Sequence, residues 1–272
     1  MLNALTFDIE DWFCASNLHK AVHRNSWESA TPRVAETTQR ILELLGRYRL
    51  EATFFVLGWV AERYPGLVRE IHENGHEIAT HGYSHTPLTS MTPPAFERDL
   101  DRALALTEAI TGVPILGFRA PSFTITSSTL WALDILKDRG LLYDSSVFPT
   151  GVHPGYGISD APLGMHAYRN TLLEIPLSCA EFGRRRIPCA GGAYFRCFPY
   201  RVTRALIARC HRQNRPVVFY LHPWEIDDMH PRVPLSPLRA FRQYYNLKKT
   251  LPKLERLLLD YQFTSIRRLI GS

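Results

Sequence analysis

The sequence lacks the features that mark several common protein classes. Its 272 residues include only five cysteines, an odd number with no Cys-x-x-Cys pair, which argues against a disulfide framework and a cysteine-rich zinc site. The longest apolar run, Ala52–Ala61, is interrupted by Gly58 and is shorter than the ~20 residues that span a bilayer. The N-terminal segment has no basic head or long apolar stretch typical of a secretory signal. We therefore expect a cytoplasmic protein with free thiols and no membrane span.

Positive charge is in excess but is not concentrated in one place. Lys and Arg number 32 against 26 Asp and Glu, a formal net charge of +6. The densest basic runs are only Arg184–Arg186 and Lys248–Lys249, whereas a nucleic-acid-binding protein gathers such charge on one face. The composition argues against nucleic acid as a partner and leaves a weak attraction to acidic polymers open. It gives no indication of oligomeric state.

Strand-like and helix-like segments alternate along most of the chain. Buried-strand patterns such as Ala52–Leu57 and Pro216–Leu221 are separated by amphipathic stretches. This alternation predicts an α/β fold with a largely parallel sheet. We predict a single domain over residues 1–272, with an irregular insertion around 147–193 and a C-terminal helical extension over 236–272.

Two hydroxyl-proline pairs predict helix starts. Such a pair places a capping side chain before the proline that favours the first helical position. Thr31-Pro32 therefore predicts a helix that runs toward Tyr48, and Ser236-Pro237 predicts one long helix in the C-terminal extension.

Chemically reactive side chains follow the predicted strands directly. The carboxyl ends of parallel strands meet at one edge of a sheet, where α/β enzymes place their active sites. We expect these side chains to converge there. They are Asp8, Glu10, Asp11, His81, His85, Arg119, Asp144 and His222.

The acidic cluster Asp8-Ile9-Glu10-Asp11 is compatible with a metal site. Clustered carboxylates repel one another and are costly to bury without a cation, although a solvated turn would also tolerate them. Along a strand, Asp8 and Glu10 point to one face and Ile9 to the other. The two carboxylates can therefore share a pocket if the first strand extends that far.

Histidine pairs with a spacing of four residues occur three times, at His19/His23, His72/His76 and His81/His85. Two imidazoles at this spacing can converge on one ion. Only His81/His85 follows a predicted buried strand, so we take this pair as the candidate for metal ligation.

Arg119 and His222 are candidates for catalysis, and each has an ordinary structural alternative. In Arg119-Ala120-Pro121, an arginine held at a strand end by proline can orient a carboxylate; the alternative is a surface arginine. His222 follows a buried strand and suits proton transfer near neutral pH; the alternative is a core histidine with satisfied hydrogen bonds.

Taken in order, these motifs resemble those of the polysaccharide deacetylases of the NodB homology type, carbohydrate esterase family 4. The resemblance covers about Leu2 to Trp224 and rests on Thr6-Phe7-Asp8, His81…His85, Arg119-Ala120-Pro121, Tyr143–Ser146 and Leu221-His222. Three segments are also similar to the subgroup found in exopolysaccharide loci associated with exosortase systems. These are Phe7–Trp12, Gly191–Arg196 and Tyr220–Glu225.

The resemblance implies a distorted (β/α) barrel of about seven strands. It also implies a divalent metal, most often zinc with cobalt as a substitute, and hydrolysis of N-acetyl groups on amino sugars. Carried over by position, Asp8 matches the general base, Arg119 its partner and His222 the general acid, while His81 and His85 match metal ligands.

The chain departs from the family pattern at two positions. Ile9 stands where a second aspartate usually binds the metal, so we expect Glu10 to be the carboxylate ligand, with Asp11 as the alternative. The motif around Asp144 is also altered, and by family position this residue would support His222. By family position, the resemblance implies that the backbone N–H of Ser122 faces the oxyanion; Pro121 has no N–H and cannot supply this donor.

The expected function is metal-dependent N-deacetylation of a polysaccharide, with exopolysaccharide biosynthesis as its setting. One alternative is a cyclic-amide (ureide) hydrolase on the same scaffold. Another is an inactive carbohydrate-binding module, in which Tyr83, Phe123 and Trp224 would stack on sugar rings, although plain packing is the simpler explanation of these aromatics. A binding module would not need a base, an arginine and an acid together.

Overall fold

The structure, a computed structural model, describes residues 1–151, 156–168 and 172–271. Strands and helices alternate through this part of the chain. The strands are β1 (Leu2–Ile9), β2 (Thr53–Val56), β3 (Glu77–Thr80), β4 (Gly117–Phe118), β5 (Tyr143–Asp144), β6 (His166–Tyr168), β7 (Leu172–Glu174), β8 (Cys179–Phe182), β9 (Arg185–Pro188), β10 (Val218–Leu221) and β11 (Gln262–Thr264). The α-helices are α1 (Val34–Tyr48), α2 (Gly58–Arg63), α3 (Pro65–Glu73), α4 (Pro93–Thr111), α5 (Trp131–Asp138), α6 (Gly192–Cys197), α7 (Tyr200–Arg212), α8 (Pro237–Tyr244), α9 (Thr250–Asp260) and α10 (Ile266–Ile270).

One curled sheet organises the described residues. Its strand order is β10-β1-β2-β3-β4-β5-β7-β6, with β11 paired to the start of β1. The neighbours from β10 to β7 are all parallel, and only the edge strand β6 runs antiparallel. The run from β10 to β7 contains seven strands, so the predicted α/β fold with a distorted barrel of about seven strands is confirmed. No helix among the described residues is long and apolar enough to cross a membrane.

Strand β1 lies between β10 and β2 in this sheet and carries the first part of the site. It is buried from Asn3 to Ile9, as expected for a parallel strand that is covered on both faces. Phe7 packs on Phe54 of β2, with 5.2 Å between ring centroids. The strand continues through Asp8 to Ile9 and so places Asp8 inside regular structure.

Helix α1 begins at Val34, so the prediction that Thr31-Pro32 starts it is wrong. The helix is capped instead by a side chain distant in sequence. Asp11 Oδ2 accepts hydrogen bonds from the backbone N–H of Arg33 at 2.8 Å and of Val34 at 3.0 Å. A carboxylate at a helix N-terminus satisfies free N–H groups and is favoured by the helix dipole. The Asp11 carboxylate therefore caps the N-terminus of α1.

The C-terminal extension is not one long helix, and the prediction from Ser236-Pro237 is wrong in this respect. Helix α8 ends at Tyr244, and a short 3-10 turn at Leu247–Lys249 precedes α9. Asn246 adopts a left-handed φ of 63° between them, and its side chain donates to the carbonyl of Arg196 at 3.0 Å. This anchored turn redirects the chain before α9.

His76 makes the stability of the fold depend on pH. Its side chain is 7% exposed and packs on the Phe54 ring at 4.9 Å between centroids. Burial lowers the pKa of His76 from 6.5 to about 4. The unfolded chain therefore binds a proton that the folded chain rejects, and stability is lost as pH falls from 6.5 toward 4.

We expect a His76→Leu variant to lose less stability on acidification than the parent. Between pH 7 and 4.5 the difference should be about 2–3 kcal/mol in the free energy of unfolding. Urea unfolding at both pH values measures it. Equal losses in the two proteins would show that His76 does not carry this proton linkage.

Candidate active site

A cavity of about 790 Å³ opens at the carboxyl ends of β1, β3 and β10. The sequence candidates Asp8, Glu10, His81, His85 and His222 all line it. They come from segments far apart in the chain, and the parallel sheet brings them to one edge as expected.

Glu10, His81 and His85 form a compact group of potential metal ligands. One ligand atom from each residue lies within 4.8 Å of the others, and all three side chains are buried. Glu10 Oε2 lies against His85 Nε2. His81 Nε2 has no hydrogen-bond partner among the described residues. Unpartnered buried polar atoms are costly, and a divalent cation between these donors would satisfy them.

Neighbouring groups orient two of these three side chains. His81 Nδ1 donates to the carbonyl of Arg119 at 2.8 Å, which leaves Nε2 facing the group, as in metal sites whose histidines are held by a second hydrogen bond. Burial lowers the pKa of His81 to about 4, so the ring is neutral at pH 7, as metal binding requires. Glu10 Oε1 accepts from Trp224 Nε1 at 3.1 Å.

The loop between the two histidines is held by Asp99, which sequence reasoning did not identify. Its carboxylate accepts from the backbone N–H of Tyr83 at 2.7 Å and of Ser84 at 3.0 Å. Gly58 lies so close that a Cβ there would come within 2.8 Å of the Tyr83 ring. These contacts fix the turn that brings the rings of His81 and His85 to a centroid distance of 5.3 Å.

Asp8 forms a fully buried ion pair with Arg119. Arg119 Nη1 donates to Asp8 Oδ1 at 2.7 Å. The rest of the guanidinium is held by the Ser145 carbonyl at 3.0 Å and the Ser145 hydroxyl at 2.9 Å. Arg119 has no exposed surface, so it is not an ordinary surface arginine. The other oxygen of Asp8, Oδ2, lies 3.7 Å from His222 Nε2.

His222 is held by Glu225, which is held in turn by Arg196. His222 Nδ1 donates to Glu225 Oε2 at 2.9 Å, and Arg196 Nε donates to Glu225 Oε1 at 2.9 Å. Burial opposes the charged imidazolium, but the hydrogen bond to Glu225 and the surrounding carboxylates raise the pKa of His222 to about 9. The ring is therefore protonated at neutral pH, with Nε2 toward the cavity.

Comparison with known proteins gives two family matches along the chain. The model of the polysaccharide deacetylase family matches residues 4–141, about half of the chain. The chain belongs to the polysaccharide deacetylase family. A domain of unknown function, DUF3473, matches residues 145–271. Asp8, Glu10, His81, His85 and Arg119 thus lie in the deacetylase match.

Curated relatives of this deacetylase-family protein are similar over part of their length. A peptidoglycan deacetylase-like protein of Gibberella zeae is 34% identical over 131 residues, 47% of this chain and 38% of that protein. A peptidoglycan deacetylase of Helicobacter pylori is 32% identical over 117 residues, 43% of this chain and 39% of that protein. The aligned part therefore spans about two fifths of each relative.

A crystal structure from Mycobacterium smegmatis, designated a polysaccharide deacetylase, has the same fold. It superposes with a TM-score of 0.64 and 21% sequence identity, covering 98% of this chain and 87% of that chain. At this identity the likeness concerns the fold alone.

Asp144 does not support His222 in this family member, and that expectation is wrong. Its strand β5 is separated from β10 by four strands in the sheet order. The Asp144 carboxylate accepts from the Ser146 hydroxyl at 2.6 Å, and burial raises its pKa beside Glu174. Glu225 takes the place beside His222 instead. The sequence does contain a signal for it, because a Glu three residues after a helix cap is the spacing of a capping box, which His222 and Glu225 form.

Asp11, the alternative carboxylate ligand, is not part of the ligand group. Its Oδ1 accepts from the backbone N–H of Trp12, and its Oδ2 accepts from those of Arg33 and Val34 at the start of α1. Ser122 lines the cavity and adopts a left-handed φ of 55°. A non-glycine residue in this region is strained, and such residues gather at functional sites.

The three candidate stacking aromatics have different surroundings. Tyr83 is not part of the cavity lining; its hydroxyl donates to Glu62, and its ring lies 3.7 Å from the Arg102 guanidinium. Trp224 lines the cavity and lies against the His222 ring at 5.3 Å between centroids. Phe123 lines it too and packs on Tyr220. Packing explains Tyr83, whereas Trp224 and Phe123, at 8% and 7% exposure, present only a small part of their rings to the cavity.

Proposed function

We propose that this protein is a metal-dependent hydrolase that removes N-acetyl groups from amino sugars in a polysaccharide. The observation that carries the proposal is the convergence, in one cavity, of a buried Glu-His-His group, the Asp8–Arg119 pair and the His222–Glu225 pair. Membership of the polysaccharide deacetylase family supports it. Relatives named peptidoglycan deacetylases support an N-acetylated glycan as the substrate.

Glu10, His81 and His85 would hold the metal. Two imidazoles and a carboxylate are the donor set of catalytic zinc sites, which leave an open position, and cobalt accepts similar ligands. When bound, such an ion lowers the pKa of its water and polarises the amide carbonyl.

Asp8 is the proposed general base. Arg119 binds Oδ1 and so fixes the carboxylate, while Oδ2 faces the cavity, where it can take the proton of the attacking water. A carboxylate placed in this way acts as a base within hydrogen-bond reach of the reacting atom. The backbone N–H of Ser122 is proposed to stabilise the oxyanion.

His222 is the proposed general acid. Because Glu225 holds Nδ1, the proton on Nε2 is directed to the cavity and can pass to the leaving amine as the C–N bond breaks. Glu225 and Arg196 act as positioning residues behind it. The products are acetate and a free amino sugar.

Acetate release from a panel of glycans tests this proposal. The panel contains N-acetylchitooligosaccharides, an acidic N-acetylated glycan and allantoin, and the metal content is measured on the same sample. We expect acetate from at least one glycan, no hydrolysis of allantoin, loss of turnover with chelator and recovery with zinc or cobalt. Undiminished turnover in metal-free protein would exclude the mechanism, and allantoin hydrolysis without acetate release would favour the ureide alternative.

A Glu225→Gln variant should reduce kcat by about 100-fold, within the 10²–10⁴ that positioned acid–base groups supply. The amide still forms a hydrogen bond but removes the charge that raises the pKa of His222. His222 should therefore lose its proton at lower pH, and the alkaline limb of the pH–rate profile should move to lower pH. Asp144→Asn, a matched change at a buried carboxylate away from the cavity, should leave the profile in place. An unmoved alkaline limb in Glu225→Gln would contradict this role.

We further propose exopolysaccharide biosynthesis as the setting. The support is the resemblance of Gly191–Arg196 and Tyr220–Glu225 to the exosortase-associated subgroup, since these segments contain both Arg196 and Glu225. Comparing the N-acetyl content of exopolysaccharide from strains with and without the gene tests it. Identical acetylation in the two strains would contradict it.

A further inference from the structure

Helix α8 forms a cationic wall of the cavity, away from the Glu10–His81–His85 group. Five of its residues line the cavity: Leu238, Arg239, Phe241, Arg242 and Gln243. Arg239 and Arg242 are three residues apart and so lie on one helical face. Leu238 is 62% exposed and Phe241 is 48% exposed. The wall thus combines positive charge with apolar surface.

The two guanidiniums of this wall have no partner among the residues that the structure describes. In the part of the chain that the structure describes, neither the Arg239 nor the Arg242 side chain forms an ion pair or hydrogen bond. The carboxylates that line the same cavity are already engaged. Asp8 pairs with Arg119, Glu10 with His85, and Glu225 with Arg196. Among the described lining residues, no other carboxylate is present to neutralise the two arginines.

The wall is fixed relative to the catalytic groups by Arg196. Its guanidinium donates to the carbonyls of Arg242 at 2.6 Å and Tyr245 at 2.9 Å at the C-terminal end of α8. The same guanidinium donates to Glu225, the partner of His222. Near the N-terminal end of α8, Asn17 Nδ2 donates to the Arg239 carbonyl at 2.7 Å. The buried Arg196 side chain thus links α8, through Glu225, to the proposed general acid His222.

Arg242 contributes positive charge to the lining of the cavity. Tyr194 lines the cavity; burial raises its pKa to about 12, and the nearby charge of Arg242 opposes this rise. Arg242 and Tyr194 line the same cavity.

We propose that α8 forms a subsite for an acidic substituent of the glycan, a carboxylate-bearing sugar next to the N-acetylated residue. This inference rests on the proposed function and names its substrate class. Guanidiniums bind carboxylates through charge-assisted hydrogen bonds, while Leu238 and Phe241 offer apolar surface to the sugar rings. The same side chains would also suit an anionic membrane surface. Because these side chains line one cavity with Asp8 and Glu10, we favour the glycan over a membrane surface as the ligand of this subsite.

Binding of two tetrasaccharides tests the subsite without relying on turnover. A hyaluronan tetrasaccharide alternates N-acetylglucosamine with glucuronate, and N-acetylchitotetraose is its neutral counterpart. By calorimetry in low salt, we expect the parent protein to bind the acidic tetrasaccharide about tenfold more tightly. The Arg239→Gln/Arg242→Gln double variant should lose this preference. Arg201→Gln, which changes an exposed arginine of α7 outside the cavity, should keep it, and 0.5 M salt should reduce it.

The inference would be overturned if the parent bound the two tetrasaccharides with equal affinity, or if the double variant kept the preference for the acidic one. Recruitment of the protein to phosphatidylglycerol vesicles without any preference for the acidic glycan would also overturn it. Acetate release measured beside binding separates this inference from the proposed function. A preference for the acidic tetrasaccharide with no acetate from any glycan would support the subsite and contradict the deacetylase. Acetate from N-acetylchitotetraose with no acidic preference would contradict the subsite alone.

Discussion

An Asp8→Asn variant is expected to release acetate about 10²–10⁴-fold more slowly than the parent while keeping its metal. The amide has nearly the same shape as the carboxylate, and its oxygen can still accept the Arg119 hydrogen bond that Asp8 Oδ1 accepts at 2.7 Å. It cannot take a proton from water. The loss should therefore appear in kcat, with the ligand group Glu10, His81 and His85 unchanged.

The controls for Asp8→Asn address the buried charge that it leaves behind. Arg119 has no exposed surface, and removing the charge of a buried partner costs about 3–5 kcal/mol. The melting temperature and metal content should therefore be measured on the same preparation. Asp144→Asn is the matched control, because Asp144 is also a fully buried carboxylate whose pKa responds to the charge of Arg119. A folded, metal-loaded Asp8→Asn protein with parental kcat would show that Asp8 is not the base.

A His81→Ala variant is expected to lose both metal and activity. His81 supplies one of three buried ligand atoms, so its removal leaves two and opens the site. Changes to residues that only support a ligand cost about 10–100-fold in metal affinity, and loss of a ligand should cost more than 100-fold. Competition with a chelator of known affinity measures the first loss, and acetate release the second.

His72→Ala serves as the control for His81→Ala. His72 also belongs to a histidine pair with a spacing of four, but it lies on α3 and does not line the cavity. It should keep the parental metal affinity and turnover. Stoichiometric metal and parental turnover in His81→Ala would contradict the ligand assignment.

Features governed by local periodicity could be predicted from the sequence. The period of two along β1 places Asp8 on the side opposite the buried Ile9. The strand ends at Ile9, and Glu10, the next residue, lines the cavity together with Asp8. The alternation of strands and helices gave the fold class for the same reason. The convergence of His81, His85 and His222 follows from the parallel sheet, which aligns strand ends whatever their separation in sequence.

Features governed by long-range hydrogen bonds could not be predicted. Arg196 reaches Glu225 across 29 residues and the end of α8 across about 46, so nothing local marks it as a link between them. The start of α1 depends on Asp11, which lies 23 residues before Val34. Motif position suggested Asp144 as the partner of His222, but their strands are far apart in the sheet, and Glu225 three residues onward is nearer.

Anomalous diffraction from crystals grown with zinc tests the central claim most directly. The account predicts one strong peak within about 2.0–2.2 Å of a carboxylate oxygen of Glu10 and of one imidazole nitrogen from each of His81 and His85. Asp8 and His222 should flank that peak without either of them replacing a ligand. A peak bound by other residues, or none in zinc-saturated crystals, would contradict the account.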